Sequence, residues 1–313
     1  MNQIFAKDLI EGLSSENKHL SSKYFYDDTG SKIFQEIMEM PEYYLTSSEF
    51  EILSLQAKQI IDAVNFNQPF NIVELGAGDG MKTFKLLEYL VNHNIDFYYV
   101  PIDISQGAMN SLEEKLKAKL PTLNIHPRIG DYFEVLSKEN VQTNIPSLLL
   151  FLGSNIGNYS YDEAVNLLSL FNKNMKDGDK LLLGVDLQKN PNTIKNAYDD
   201  SYGITKKFNL NLLSRINREF DGDFRLDDFD FYCHYNPENG EVNSYLISLR
   251  KQSVFLKKLN KGFHFNYDEL IWTELSKKYN LNEINQLAQS TNFTTEQHFL
   301  DCKHYFTNII LKK

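Results

Sequence analysis

Three short clusters in the chain pair residue types with chemistry. The first is Gly76-Ala77-Gly78-Asp79-Gly80, which follows the apolar run Asn71-Ile72-Val73-Glu74-Leu75 and precedes a helix-forming stretch. Glycines let a backbone turn sharply and let a ligand reach the main chain with no Cβ in the way. The helix start behind them favours anionic groups. The spacing is G-x-G-x-G, one residue tighter than the G-x-G-x-x-G of dinucleotide sites, and Glu74 stands two residues before the first glycine. Such a turn need not cradle a pyrophosphate, and an acidic neighbour is tolerable near a cationic ligand. Both features suit S-adenosylmethionine better than a nicotinamide dinucleotide. The second cluster is Asp103, at the tip of the run from Phe97 to Ile102; an acceptor-only carboxylate there can take both hydroxyls of a ribose. The third is Asp131-Tyr132, placed to read an adenine amine after the segment from Ile125 to Ile129. Each has an ordinary reading too: a plain glycine turn, or a helix N-cap from Asp103 or Ser105. What favours a ligand is that each cluster follows a strand, at the carboxyl edge where open α/β sheets bind.

The elements that must position these residues are legible as a rhythm. Strands are expected at 71–75, 97–102, 125–129, 146–152 and 180–185, with helices at 82–91, 105–120 and 161–175. Alternating strands and helices make a parallel, doubly wound sheet. Continuous apolar runs such as Leu148 to Leu152 fit strands covered on both faces. After Asp186 the rhythm changes. Segments 230–235 and 242–250 read as a hairpin about Pro237-Glu238-Asn239-Gly240, and 297–300 and 305–311 as two further strands. The N-terminal 47 residues hold helical segments without a sheet rhythm. The expected organisation is an α/β, Rossmann-like sheet domain over 48–188 plus 279–313, and a smaller α+β substrate domain over 1–47 plus 189–278.

Composition narrows the partners. Lys and Arg number 32 against 42 Asp and Glu, a net charge of −10, which argues against a general nucleic-acid surface. No stretch approaches the roughly 18 apolar residues of a membrane span. The first residues, with Lys7 and Asp8, have no apolar core and read as no secretory signal. Two cysteines, Cys233 and Cys302, are too few for a disulfide framework or a zinc site, so a reduced, cytoplasmic compartment and no metal are expected. Aromatic residues are plentiful, at 18 Tyr and 22 Phe, and the Tyr clusters need more than packing to explain them.

Longer motifs carry a family resemblance. They are Tyr24-Phe-Tyr-Asp-Asp-Thr-Gly30-Ser-Lys-Ile-Phe34, then Met40-Pro-Glu-Tyr-Tyr-Leu-Thr46 with Glu49, and Phe151-Leu-Gly-Ser-Asn-Ile-Gly-Asn158. Further on stand Tyr198-Asp-Asp-Ser-Tyr-Gly203 with Phe208-Asn209, Ser248-Leu-Arg250, and Ile271-Trp-Thr-Glu-Leu-Ser276. Together, from about Leu20 to the C-terminus, the chain resembles the histidine-specific Nα-methyltransferases of ergothioneine biosynthesis. That family includes the related fungal dimethylallyltryptophan N-methyltransferases.

The resemblance implies a class I methyltransferase sheet and S-adenosylmethionine as methyl donor. It implies that Gly76, Lys82, Asp103, Asp131 and Tyr132 contact that donor, with Gly78 in the same turn. Tyr43 and Tyr198 match tyrosines that hold the amino-acid substrate, and Gly153 lies at the cleft edge. Asn158 matches the asparagine beside the reacting amine, and Tyr26 a tyrosine that helps its deprotonation. Glu274 and Ser276 match the pair that reads the imidazole. The reaction implied is methylation of the α-amino group of L-histidine, up to the trimethyl betaine hercynine. The expected partners are a small amino-acid substrate, with no nucleic acid and no membrane, and the chain is expected to be a monomer.

The residue chemistry is compatible with these roles. Methyl transfer from a sulfonium needs in-line placement of a nucleophile with a free lone pair. An α-amine, with an unperturbed pKa of about 8, is mostly protonated at neutral pH, so the site must accept a proton. The Asn158 oxygen can accept one hydrogen bond, and tyrosine hydroxyls can orient a carboxylate and relay protons. If segment 274–276 is extended, both side chains share a face, and a carboxylate with a hydroxyl matches the two ring nitrogens of histidine. Ordinary alternatives are packing for Tyr24, Tyr26, Tyr43 and Tyr44, a turn residue for Asn158, and a solvated polar strand face for Glu274 and Ser276.

Two residues depart from the family pattern. Ser244 stands where histidine-specific members carry methionine, which makes the side-chain pocket roomier or wetter. Asn155 stands where the family often has threonine. Two alternatives follow: the same chemistry on another amino acid such as tryptophan or a derivative, or a non-catalytic adenosylmethionine-binding module. A nucleic-acid methyltransferase is disfavoured further, because the fourth strand runs into Gly153-Ser-Asn-Ile-Gly-Asn158 rather than an Asn/Asp-Pro-Pro-Tyr/Phe motif.

Overall fold

A computed structural model of the chain describes residues 3–78, 80–104, 106–130 and 145–313, the side chains of Met81 and Ala108 excepted. The chain divides into two compact units, one formed by Met1–Tyr44 and Lys189–Lys277, the other by Leu45–Gln188 and Lys278–Lys313.

The second unit is built on a sheet. Its strands are β1 (Phe70–Leu75), β2 (Phe97–Asp103), β3 (Arg128–Ile129), β4 (Ser147–Phe151), β5 (Lys180–Asp186), and two late strands at Thr294–Leu300 and Phe306–Lys312. Among the described residues the order across the sheet is Thr294–Leu300, Phe306–Lys312, β5, β4, β1, β2, β3. The five strands from β5 to β3 run parallel. The chain winds outward from β1 in both directions, so the carboxyl ends of β1, β2 and β4 border a topological switch point. The last two strands are antiparallel, to β5 and to each other: the short connection of residues 301–305 permits a hairpin but no crossover helix. The segment expected as a strand at 125–129 reduces to the two residues of β3 plus one bridge, Ile125 to Tyr99. β1 and β5 are buried along their whole length. Two apolar clusters, one on each face, therefore cover this sheet, as a parallel sheet requires.

Helices follow their local signals. In this unit α3 (Tyr44–Leu55), α4 (Ala57–Val64), α5 (Met81–Asn92), α6 (Gln106–Lys119) and α7 (Tyr161–Asn174) flank the strands. The Ser160 hydroxyl and Glu163 form a capping box at the start of α7, satisfying two orphan N–H groups. Asn280 and Glu283 do the same for the later helix Leu281–Ser290.

The first unit is α+β. Its helices are α1 (Gln3–Ser14), α2 (Asp28–Glu39), α8 (Pro191–Tyr198) and α9 (Ile204–Phe220). Its strands are β6 (Phe229–Asn236), β7 (Glu241–Ser248), β8 (Gln252–Leu256), β9 (Lys261–Phe265) and β10 (Leu270–Lys277). β6, β7 and β10 form an antiparallel sheet in the order β10-β7-β6, and β8 pairs with β9. β7 alternates half-buried and buried along its length, the pattern of a sheet with one face on a core. It ends two residues sooner than the pattern suggested, because Ser248 Oγ donates to the Arg250 carbonyl and turns the chain. The core of this unit joins Phe5, Phe25, Phe208, Leu212, Leu246 and Ile271, among others, at or near zero exposure.

Candidate functional site

The glycine turn begins where β1 ends. Gly76, Gly78 and Gly80 have φ of +70°, +55° and +67°, a region that L side chains rarely enter. The three do different work. A Cβ on Gly80 would lie 2.3 Å from Leu112 Cδ1 of α6, so that glycine lets the turn pack. A Cβ on Gly76 or Gly78 would meet nothing within 4 Å, so those two leave bare backbone facing open space. The β1–β2 register pairs Leu75 with Ile102 and sets the turn beside Asp103. Gly76 N–H donates to the Ile102 carbonyl at 2.9 Å, and Gly78 N–H reaches Asp103 Oδ2 at 3.4 Å. Glycine backbone with no Cβ in the way and an acceptor-only carboxylate, on one sheet edge, fit the methionine-ribose part of an adenosyl ligand. Asp131 and Tyr132 lie outside the described residues.

Behind the turn sits Glu74, 5% exposed. The Thr83 hydroxyl donates to Oε1 at 2.5 Å and the Tyr99 hydroxyl donates to Oε2. Burial outweighs these two donors and pushes the carboxyl up to about 7. The group thus ties β1, β2 and α5 together under the glycines.

Lys82 lies in the first turn of α5. Its Nζ stands 2.6 Å from Glu49 Oε2, with the lysine one quarter exposed and Glu49 wholly buried. Glu49 also accepts the Gly153 N–H, at 3.0 and 2.9 Å to its two oxygens. Gly153, with φ +78°, follows the end of β4 and opens the segment that carries Asn158. That segment is a single 3-10 turn, Asn155–Asn158, entered through Ser154 in the left-handed region at φ 57°. Ser154 Oγ accepts the Asp186 N–H at 2.9 Å, which fastens the turn to the end of β5. Asn158 itself is exposed at the end of the turn.

Within the first unit, Tyr26, Tyr43, Tyr198, Glu274 and Ser276 come together. Tyr26 sits in a tightly held bend. A Cβ on Gly30 would lie 1.8 Å from the Phe25 carbonyl oxygen, so only glycine permits this approach. Asp27 caps α2 by accepting the Gly30 N–H at 2.7 Å, and takes further donors from Asn211 at 2.9 Å and from Arg218. Burial opposes its charge, yet these donors hold the Asp27 carboxyl below the usual range. The Tyr26 ring meets Phe34 and Phe208 edge-on at 5.4 and 5.7 Å. Phe34 meets Tyr43, and Tyr43 meets Tyr198, in the same manner at 6.3 and 6.2 Å. Tyr198 OH lies 2.9 Å from Ser276 Oγ in a buried contact.

Tyr26 is exposed over 46% of its surface, which weakens the effect of burial on its hydroxyl. Its hydroxyl is driven well above the usual tyrosine range by burial first, then by the negative charge of Glu274 and by Tyr43 and Tyr198. It is therefore a neutral phenol at any physiological pH.

Glu274 and Ser276, two apart in β10, share a face as extended residues do, and an irregularity decides which face that is. The β7–β10 register pairs Trp272 with Tyr245 but Glu274 with Ser244, leaving Thr273 as the extra residue of a bulge. Thr273 is buried, its hydroxyl shared between Asn209 Oδ1 at 2.9 Å and the Ser244 carbonyl at 3.0 Å. Ser276 then pairs with Val242 on the same face as Ser244.

Several contributors gave little sequence signal. Glu49 stands in a recognisable motif, but its partners are 104 and 259 residues away. Phe34 and Phe208 read as ordinary packing, and nothing in Ile271-Trp-Thr-Glu marks a bulge. Among the described residues no cluster of His, Cys, Asp or Glu could hold a metal ion, and no helix is long and apolar enough to cross a membrane.

Comparison with known proteins adds to this geometry. The chain is 34% identical to the histidine N-alpha-methyltransferase of Mycolicibacterium smegmatis, over 91% of its own length and 87% of that protein. It is 33% identical to the histidine N-alpha-methyltransferase of Mycobacterium tuberculosis, over 87% and 84%. It is 25% identical to an L-tryptophan methyltransferase of Psilocybe serbica, over 97% and 91%. The family model described as histidine-specific methyltransferase, SAM-dependent, matches residues 5–313, nearly the whole chain, and the chain belongs to that family.

Proposed function

We propose that the chain methylates the α-amino group of L-histidine with S-adenosylmethionine, through successive transfers to the trimethyl betaine. The observation that carries the substrate choice is the bulge at Thr273, which switches Glu274, and Ser276 with it, to the face of Ser244 and Val242, beside Tyr198 and Tyr26. A carboxylate and a hydroxyl so placed can serve the two ring nitrogens of an imidazole, one as acceptor and one in either role.

The donor supplies an electrophilic methyl group on a sulfonium. Gly76 and Gly78 present bare backbone to it, Asp103 accepts its ribose hydroxyls, and Lys82 holds its carboxylate, with Asp131 and Tyr132 at the adenine. On the substrate side, Tyr43 and Tyr198 orient the carboxylate and Gly153 borders the site. Asn158 accepts a hydrogen bond from the amine and directs its lone pair. Tyr26, held as a phenol, relays the amine proton away through its hydroxyl rather than acting as a tyrosinate base. Each round needs the amine neutral again, so turnover should rise with pH towards the amine pKa of about 8.

A second reading is the same chemistry on tryptophan or a derivative. Ser244 supports it: it is the direct partner of Glu274, is buried, and is small. The deciding experiment is incubation with S-adenosylmethionine and each of the twenty amino acids, followed by product masses. Mass gains of one to three methyl groups on histidine alone are expected. Methylation of tryptophan in preference to histidine would overturn the first reading.

A further inference from the structure

The carboxylate of Glu49 is wholly buried, and burying a charge is costly unless donors surround it. Three donors from three elements converge on it: Lys82 Nζ of α5 at 2.6 Å, the Gly153 N–H after β4 at 2.9 Å, and Asn308 Nδ2 of the last strand at 3.1 Å. The space for it is made by Gly184 of β5, where a Cβ would lie 2.2 Å from Glu49 Oε1. At Gly153 a Cβ would lie 3.2 Å from Lys82 Nζ. Two glycines and a buried anion thus set how closely the lysine and the backbone amide approach each other. An ammonium has three N–H donors; with one on Glu49 and the residue one quarter exposed, the others remain for a carboxylate from outside.

We propose that Glu49 is a positioning residue for methyl transfer. It fixes the Lys82 ammonium and the Gly153 amide in one geometry, and through Gly153 the start of the turn that carries Asn158. The effect is on alignment: donor-side lysine and amine-side asparagine are referred to one buried carboxylate. This rests on the function proposed above.

The test measures binding and turnover separately. Calorimetric titration of the unaltered protein with S-adenosylmethionine, and its turnover of histidine, come first; if it neither binds nor turns over, the underlying function fails and not this assignment. With both in hand, Glu49→Gln, which keeps an acceptor for the Gly153 N–H but removes the charge that holds Lys82, is expected to lower kcat at least tenfold at saturating substrates. The assay is run well below its melting temperature. The double variant Glu49→Gln/Lys82→Met is expected to fall no more than twofold below the worse single variant, because the two act as one unit. If Glu49→Gln does not fold, Gly184→Ala makes the same comparison, since it displaces the carboxylate without changing its chemistry. A folded variant whose kcat stays within twofold of the unaltered protein overturns the proposal, as do losses that multiply in the double variant.

Discussion

Glu274 faces Ser244 directly across the β7–β10 ladder, and it does so only because Thr273 is squeezed out of register one residue earlier. In a regular strand, side chains alternate, and a one-residue shift moves each to the other face. Without the bulge Glu274 would share the face of Trp272, whose indole N–H donates to Asn243 Oδ1 at 2.9 Å and whose ladder partner is Tyr245. With the bulge it joins the face of Ser244, Val242 and Leu246, which packs on the core of the first unit. The polar pair is thereby built into a buried face, where an unpaired hydrogen-bonding group is costly.

That cost makes the first prediction. A site that hydrogen-bonds a polar substrate group rejects analogues lacking it, because its own buried groups are left unpaired. Histidine should be turned over far better than phenylalanine. Glu274→Ala should lower kcat/KM for histidine at least tenfold and narrow the ratio of the two. An unmoved ratio would remove Glu274 from imidazole recognition.

The second prediction concerns Ser244. Replacing it by methionine fills volume opposite Glu274. Ser244→Met should raise the preference for histidine over tryptophan by roughly tenfold, the low end of what apolar pocket shape achieves. The measurement is kcat/KM for both amino acids. A preference that stays put, or shifts towards tryptophan, would show that Ser244 does not bound the side-chain pocket.

The sheet of the second unit was legible because its signals are local. Runs such as Leu148-Leu149-Leu150-Phe151 are strand-sized and apolar throughout, and Gly76-Ala-Gly78-Asp-Gly80 marks the turn by residue type alone. The tyrosine, asparagine and glutamate candidates were legible only through long motifs, since each residue by itself reads as packing, turn or surface. Helices 191–198 and 204–220 and the β8–β9 hairpin went unread. Asn190 capping α8 and the left-handed Gly203 before α9 are signals that could have found the helices. The bulge at Thr273 and the chamber around Glu49 are set by tertiary partners far along the chain, and no window of neighbouring residues contains them.

Asp103 gives the third prediction. Its carboxylate stands at the tip of β2 beside the Gly78 amide. Asp103→Ala should weaken S-adenosylmethionine binding by about 1.5–3 kcal/mol, the range for hydrogen bonds to a charged group. Calorimetric titration giving equal affinities would place the ribose elsewhere.

The fourth prediction separates the two halves of the reaction. Asn158→Ala removes the proposed amine acceptor, and Tyr198→Phe removes the hydroxyl bonded to Ser276. Both should lower histidine turnover at least tenfold while S-adenosylmethionine affinity, by the same titration, stays within about threefold. Turnover at the unaltered rate in both would remove them from the amino-acid site.

Glu74 gives the last prediction, and it concerns stability. Its carboxyl is raised from an ordinary 4.5 to about 7 because it is buried under the glycine turn. Between those two values the folded protein keeps a proton that the unfolded chain releases. The stabilisation from this group is therefore fully present below pH 4.5 and is lost as pH rises through about 7. At roughly 1.4 kcal/mol per unit, the group accounts for about 3 kcal/mol across that window. Glu74→Gln keeps a neutral, similarly shaped side chain with an acceptor for Thr83 or Tyr99, and it has no proton to lose. Its melting temperature, compared with that of the unaltered protein, should improve by several degrees between pH 5 and pH 8. The check is a series of thermal melts of both proteins across that range. A constant offset between the two curves would mean that Glu74 is ionised in the folded state throughout. The Thr83 and Tyr99 hydroxyls would then be holding a charge under the turn rather than sharing a proton.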